Sequence, residues 1–191
     1  MTDEQVGALS AENRRASTWI TAVAATLLLI GAVLFIVESD SWYLAFKAVH
    51  VGAAVLWVGG GTFVTLMAMA TERASDPGRL LEVARQAEWG ATRIFVPASF
   101  VVLAMGIAMT INGDLDWGQF WLIFGLAAWA ISTAIGVGFL TPRIKRLNAL
   151  VAERGERDAA VQAAVQPILL AARLDIALLF LIVIDMTAKP F

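Results

Sequence analysis

The stretch Phe46–Gly61, FKAVHVGAAVLWVGGG, sets a lysine and the only histidine of the chain inside an otherwise apolar run. An imidazole can ligate haem iron, copper or zinc, or carry a proton. At 100° per residue, Lys47, His50, Ala54, Trp57 and Gly61 fall within about 80° of one another on one helix face. A cation, an imidazole and an indole then look the same way, toward other helices rather than lipid. Ionisable groups are costly in hydrocarbon and mark function by default. His50 lies about eight residues, or roughly 12 Å, inside the end of its helix. The plainer reading is a polar residue bonded to a neighbouring helix. Lys47, one turn nearer that end, either snorkels to the interface or pairs with a carboxylate, from a ligand or from Asp185.

Further ionisable and soft groups stand on other apolar runs. Asp175 and Asp185 share one face of the last run. Depth along the helices predicts two pairings: Asp185 with Lys47 or His50, and Asp175 with Arg93. Arg173 points away from Asp175, toward water. Such pairs either serve a ligand or clamp the bundle. Met105 and Met109 lie four apart, at about the depth of His50. Thioether and imidazole together suit Cu(I), while methionine is also ordinary apolar filler.

The elements that must position these groups follow from composition. The chain has 191 residues, of which 59% are hydrophobic, and its mean hydropathy is +0.75. Five runs, 18–37, 42–70, 94–111, 117–140 and 168–187, are long and apolar enough to cross a hydrocarbon core of roughly 30 Å. Backbone groups in lipid must be satisfied internally, so helix is nearly forced. The expectation is an all-α, multi-pass bundle of five transmembrane helices: a polar tail, 1–17, and one bundle domain, 18–191.

Lys and Arg gather on one side of that bundle: Arg14 and Arg15; Arg73, Arg79 and Arg85; and Arg143, Lys145, Arg146, Arg154 and Arg157. The opposite connections carry Glu38, Asp40, Asp114 and Asp116. This asymmetry predicts a cytoplasmic N-terminus and an external C-terminus, in a cell membrane. The net charge of −2 conceals it. Ser75-Asp76-Pro77-Gly78 reads as a turn and helix start, followed by an amphipathic surface helix over 79–90. Pro97 predicts a kink, and Pro142 marks the end of the fourth span. Gly155 stops a basic amphipathic helix, and Asp158 starts the next. Gly118, Gly125 and Ser132, with Ala128 and Gly136, are close-packing positions, and Gly59-Gly60-Gly61 reads as close helix approach. Ala45, Gly52 and Gly59 make a small-residue face suited to a homo-oligomer.

Several classes drop out. With no cysteine there is no disulfide, thiol catalysis, Cys-ligated zinc or iron–sulfur cluster. No Ser/His/Asp set, HExxH, nucleotide loop or paired-carboxylate hydrolytic motif is present. The implied surroundings are lipid rather than nucleic acid.

Lys47, His50, Trp57, Gly59 and Gly60 form a K-x-x-H-x(6)-W-x-G-G pattern. It resembles a group of small bacterial membrane proteins that includes the copper-resistance CopD membrane domain and the HemJ-type protoporphyrinogen oxidases. Over 42–190, including Glu88-Trp89 to Pro97 and the ending Leu174-Asp175…Met186-Thr187-Ala188-Lys189-Pro190, the chain is similar to a predicted integral membrane family with a domain-of-unknown-function label. The HemJ resemblance implies His50 as a haem b or porphyrin ligand, with Lys47 a nearby functional cation. The CopD resemblance implies copper passage. One departure is that Thr62–Leu66 stands where a tyrosine-leucine-x-arginine stretch is expected. With one histidine, haem ligation needs a dimer, a methionine or an open site. A non-catalytic scaffold is the remaining alternative.

Overall fold

The computed structural model describes residues 42–74 and 77–189. The expected first span, 18–37, the polar tail, the 39–41 turn and the Ser75-Asp76 cap lie outside the described residues. From Phe46 onward the chain forms one compact unit.

Among the described residues four helical rods are long and apolar enough to cross a membrane: Trp42–Arg73, Gly78–Asn112, Phe120–Arg154 and Ala159–Ala188. Three of them are α-helices joined by a π turn. Helix α1 (Trp42–Ala54) passes through Val55–Gly59 into α2 (Gly60–Arg73). Helix α3 (Pro77–Gly90) passes through Ala91–Phe95 into α4 (Val96–Asn112). Helix α5 (Phe120–Thr133) passes through Ala134–Leu140 into α6 (Thr141–Arg154). Helix α7 (Ala159–Ala188) is α-helical throughout, with Pro167 inside it.

This continuity corrects the sequence reading. The amphipathic helix over 79–90 and the third span are one rod, and the helix of the fourth span does not end at Pro142 but runs on to Arg154. A proline removes one i→i−4 bond and clashes with the preceding turn. Here each π turn ends just before its proline, Phe95 before Val96-Pro97 and Leu140 before Thr141-Pro142. The wider i→i+5 ladder absorbs the lost bond without breaking the helix. The Thr141 hydroxyl adds a bond of 2.8 Å to the Gly136 carbonyl within the third wide turn.

Other boundaries are local chemistry. Helix α5 starts at Phe120, not Trp117, because the Gly118 N–H donates to the Asp116 carboxylate at 2.8 Å and holds that stretch as a turn. Gly155, at φ +82°, ends α6 in a conformation only glycine adopts readily. The Asp158 carboxylate then caps α7, accepting from the Ala160 N–H at 2.8 Å.

Rods of this length exceed the hydrocarbon core, so each continues beyond its most apolar part. The extensions at the Lys/Arg-rich end pack together. Leu81, Ile144, Leu147, Val161, Val165, Ile168 and Leu169 form one buried cluster from α3, α6 and α7. Val161 is 0% exposed and Leu147 is 3% exposed. Polar clamps tie the same end: Glu72 accepts from Arg173 and, at 3.1 Å, from Gln166, and Glu88 accepts from Asn148. Farther along, Gly125, Ala128 and Ser132 are buried where α5 packs on α7. Large apolar side chains such as Leu56, Phe63, Leu66, Phe180 and Ile184 face outward, as a lipid-facing surface requires.

Candidate functional site

His50 sits on α1, half-buried, with its Nδ1 2.8 Å from the Val102 carbonyl oxygen on α4. A carbonyl only accepts, so Nδ1–H donates and the lone pair resides on Nε2. A Cβ placed on Gly106 would lie 3.2 Å from His50 Cε1, so the missing side chain at Gly106 is what lets the ring lie against α4. His50 therefore lies at the level of Val102–Gly106, with Met105 and Met109 half-buried nearby in sequence.

The other members of the sequence-predicted site separate from it. Lys47 is exposed, whereas Trp57 is buried in a cluster with Ala98 and Leu179. The reason is the π turn Val55–Gly59. The ideal 100° phase that aligned Lys47, His50 and Trp57 does not carry across a turn with i→i+5 bonding.

Neither predicted carboxylate pairing is found among the described residues. Arg93 is exposed and lies over the Trp89 ring, 5.9 Å from its centroid, rather than against Asp175. It belongs to the π turn Ala91–Phe95, which directs it outward. Arg173 does not reach for water alone but pairs with Glu72 on α2. Asp185 is buried at 6% exposure and makes no ion pair with Lys47 or His50. It lies beside Gly125, where the end of Met186 fills the space a Cβ would occupy. Lys189, which follows the last turn, stands 4.9 Å over the Trp121 ring.

Asp175 instead lines a partly open cavity of about 160 Å³. All three π turns border it, through Trp57, through Ala91 and Phe95, and through Gly136, Val137 and Leu140. Wide turns of this kind recur at functional sites. The Phe95 ring is wedged between two glycines: a Cβ on Gly60 would run into it, and one on Gly90 would lie 3.2 Å away. Gly59 and Gly61 have open space around them, so of the triple glycine it is Gly60 that permits the close approach. Most of the remaining wall is aliphatic.

Six polar side chains break this apolar lining, Thr65, Ser99, Ser132, Thr133, Thr141 and Asp175, and three of them stand out. Asp175 Oδ1, Ser132 Oγ and Thr133 Oγ1 are buried without a close hydrogen-bond partner among the described residues, with Ser132 within reach of the Asp175 carboxyl. Buried polar groups are nearly always partnered by protein, water or ligand, so three orphans around one cavity are informative. By contrast the Trp129 indole, which also joins α4 to α5, donates to the Ser99 carbonyl at 3.0 Å and is satisfied. Sequence reasoning treated Ser132 as a packing residue and did not single out Thr133. A Ser-Thr pair within so apolar a helix was the available signal.

No cluster of three or more His, Cys, Asp or Glu able to hold a metal occurs among the described residues. No curated protein and no solved structure matches the chain. One family model does match, over residues 44–190, a range that takes in both His50 and Asp175. The chain belongs to that family, described as predicted integral membrane protein (DUF2269).

Proposed function

We propose that this integral membrane protein binds a redox-active ligand, haem or a porphyrin, through Nε2 of His50. The observation that carries the reading is the Nδ1–H donation to the Val102 carbonyl at 2.8 Å. Coordinating histidines commonly use this arrangement, in which one nitrogen is anchored to a carbonyl and the other presents its lone pair in a fixed direction. His50 is the residue that would hold the group, through Nε2. The central cavity does not reach His50, so it is not the space that would hold the group. Lys47, exposed one turn away on α1, would be available to a ligand carboxylate such as a propionate. When bound, a haem would supply one-electron chemistry. The protein's part is to hold its plane and neutralise its acidic edge.

Copper is the second reading. Val102, Gly106 and Met109 fall within about 60° on the face of α4 that meets His50. One imidazole and one or two thioethers, with Met105 adjacent, suit Cu(I). For topology we propose five spans, N-terminus cytoplasmic and C-terminus external, in a bacterial cell membrane, from the Lys/Arg asymmetry.

The test is an absorption spectrum of haem-replete, detergent-purified protein, air-oxidised and dithionite-reduced, beside His50→Ala. A Soret band present in the wild type and lost in folded His50→Ala supports haem. A featureless spectrum with copper that is lost in the same variant transfers the case to Cu(I). Neither ligand in folded protein leaves a scaffold role.

A further inference from the structure

The cavity behind Trp57 is separate from His50 and has its own chemistry. Asp175 is the only ionisable side chain in its lining among the described residues. The basic residues nearest in sequence or expected depth are engaged elsewhere: Arg173 with Glu72, and Arg93 outward over Trp89. A carboxylate facing an apolar chamber needs a partner, since an isolated buried charge is strongly unfavourable. Asp175 Oδ1, Ser132 Oγ and Thr133 Oγ1 face that need together: Ser132 lies within reach of the Asp175 carboxyl, and none of the three makes a close hydrogen bond among the described residues.

The shape of the occupant follows from the walls. The volume is about 160 Å³. An apolar protein cavity of about 150 Å³ takes up a benzene ring. Trp57 and Phe95 offer aromatic surface, and Leu, Val, Ile and Ala supply most of the rest. The polar end of an occupant must donate hydrogen bonds, because an ionised carboxylate can only accept them. A positive charge there also balances Asp175 in a low-dielectric setting.

We propose that this cavity binds a small hydrophobic amine, with its ammonium at Asp175, Ser132 and Thr133 and its apolar body against Trp57 and Phe95. The hydroxyls accept from the ammonium, so the site discriminates by charge as well as by size. Permeant aryl-alkyl amines are the ligand class.

The test is calorimetric titration of the full detergent-purified chain with benzylamine and, separately, with benzyl alcohol, its near-isosteric neutral counterpart. A charge-assisted contact predicts a preference for the amine of about tenfold or more. Asp175→Asn should abolish that preference while leaving benzyl alcohol binding nearly unchanged. Partition into micelles would affect wild type and variant equally, so only the difference counts. If Asp175→Asn does not fold, Ser132→Ala and Thr133→Val take its place, with a several-fold loss of benzylamine affinity expected from each. Equal affinity for amine and alcohol, a preference that survives these substitutions, or no binding at all, as for a chamber filled only by water, would overturn the proposal. His50→Ala should leave the titration unaltered, which keeps this outcome apart from the haem test.

Discussion

The Lys/Arg-rich end of the bundle and its middle are built on opposite terms. At the basic end, aliphatic side chains from α3, α6 and α7 close on one another, and Glu72 and Glu88 find partners on distant helices. In the middle, the buried cluster is small, three π turns interrupt the helices, and polar atoms face a cavity unpaired. The difference has a solvent cause. Beyond the apolar runs, water drives apolar faces together as in any soluble domain. Within hydrocarbon that drive is absent, and helices associate by close contact and hydrogen bonds alone. The cavity runs between the two regions, since Ile144, Leu147, Val165, Ile168 and Leu169 of the basic-end cluster also line it; the basic end closes fully only on the far side of those residues, around Leu81 and Val161.

The largest effect should come from the basic end. Leu81→Ala, in the basic-end cluster and away from the cavity wall, is expected to cost about 2–5 kcal/mol in unfolding measured in detergent. Leu179→Ala, buried on the cavity wall, should cost distinctly less. Equal losses would break the comparison. Next, Gly60→Ala should destabilise by about 1–3 kcal/mol, because its methyl group meets a Phe95 ring already held against Gly90. Gly59→Ala, with open space, should be neutral or slightly stabilising; thermal scans of the pair read the difference directly. Glu72→Gln should cost about 1 kcal/mol, reduced by the partial exposure of the Arg173 pair. Its effect on denaturant midpoint should shrink as salt is raised. The smallest change has the opposite sign. Ser132→Ala removes an unpaired buried hydroxyl and should stabilise ligand-free protein by up to about 1 kcal/mol, visible as a raised melting temperature.

The apolar runs made the four described rods legible, because length and hydropathy suffice in lipid. Gly125, Ala128 and Ser132 were legible as contact positions because small residues are what close helix packing requires. Gly155 and Asp158 were legible because their conformations are local. The π turns were not. Hydropathy cannot tell a 3.6-residue period from one containing a single extra residue, so the face carrying Lys47, His50 and Trp57 looked intact. The same blindness made Pro142 look like a helix end. The partner of His50 is a backbone carbonyl, which every residue carries and no sequence marks. Glu72 and Arg173 stand 101 positions apart, and only the packing of α2 on α7 brings them together. Asp175 was recognised as ionisable, but depth alone assigned it to Arg93, and depth says nothing about which way a wide turn aims a side chain.

Each π turn also holds one residue more than the α-helix on either side of it, so it is spare chain. Removing a single residue from Val55–Gly59 would restore regular pitch and leave α1 and α2 nearly in place, whereas removing one from the regular helix on either side would turn everything beyond it by about 100°. At these three places the bundle therefore tolerates a change of residue number that it does not tolerate elsewhere. A deletion scan would find folded protein retained within Val55–Gly59, Ala91–Phe95 and Ala134–Leu140, and sharp losses in the helices adjoining them.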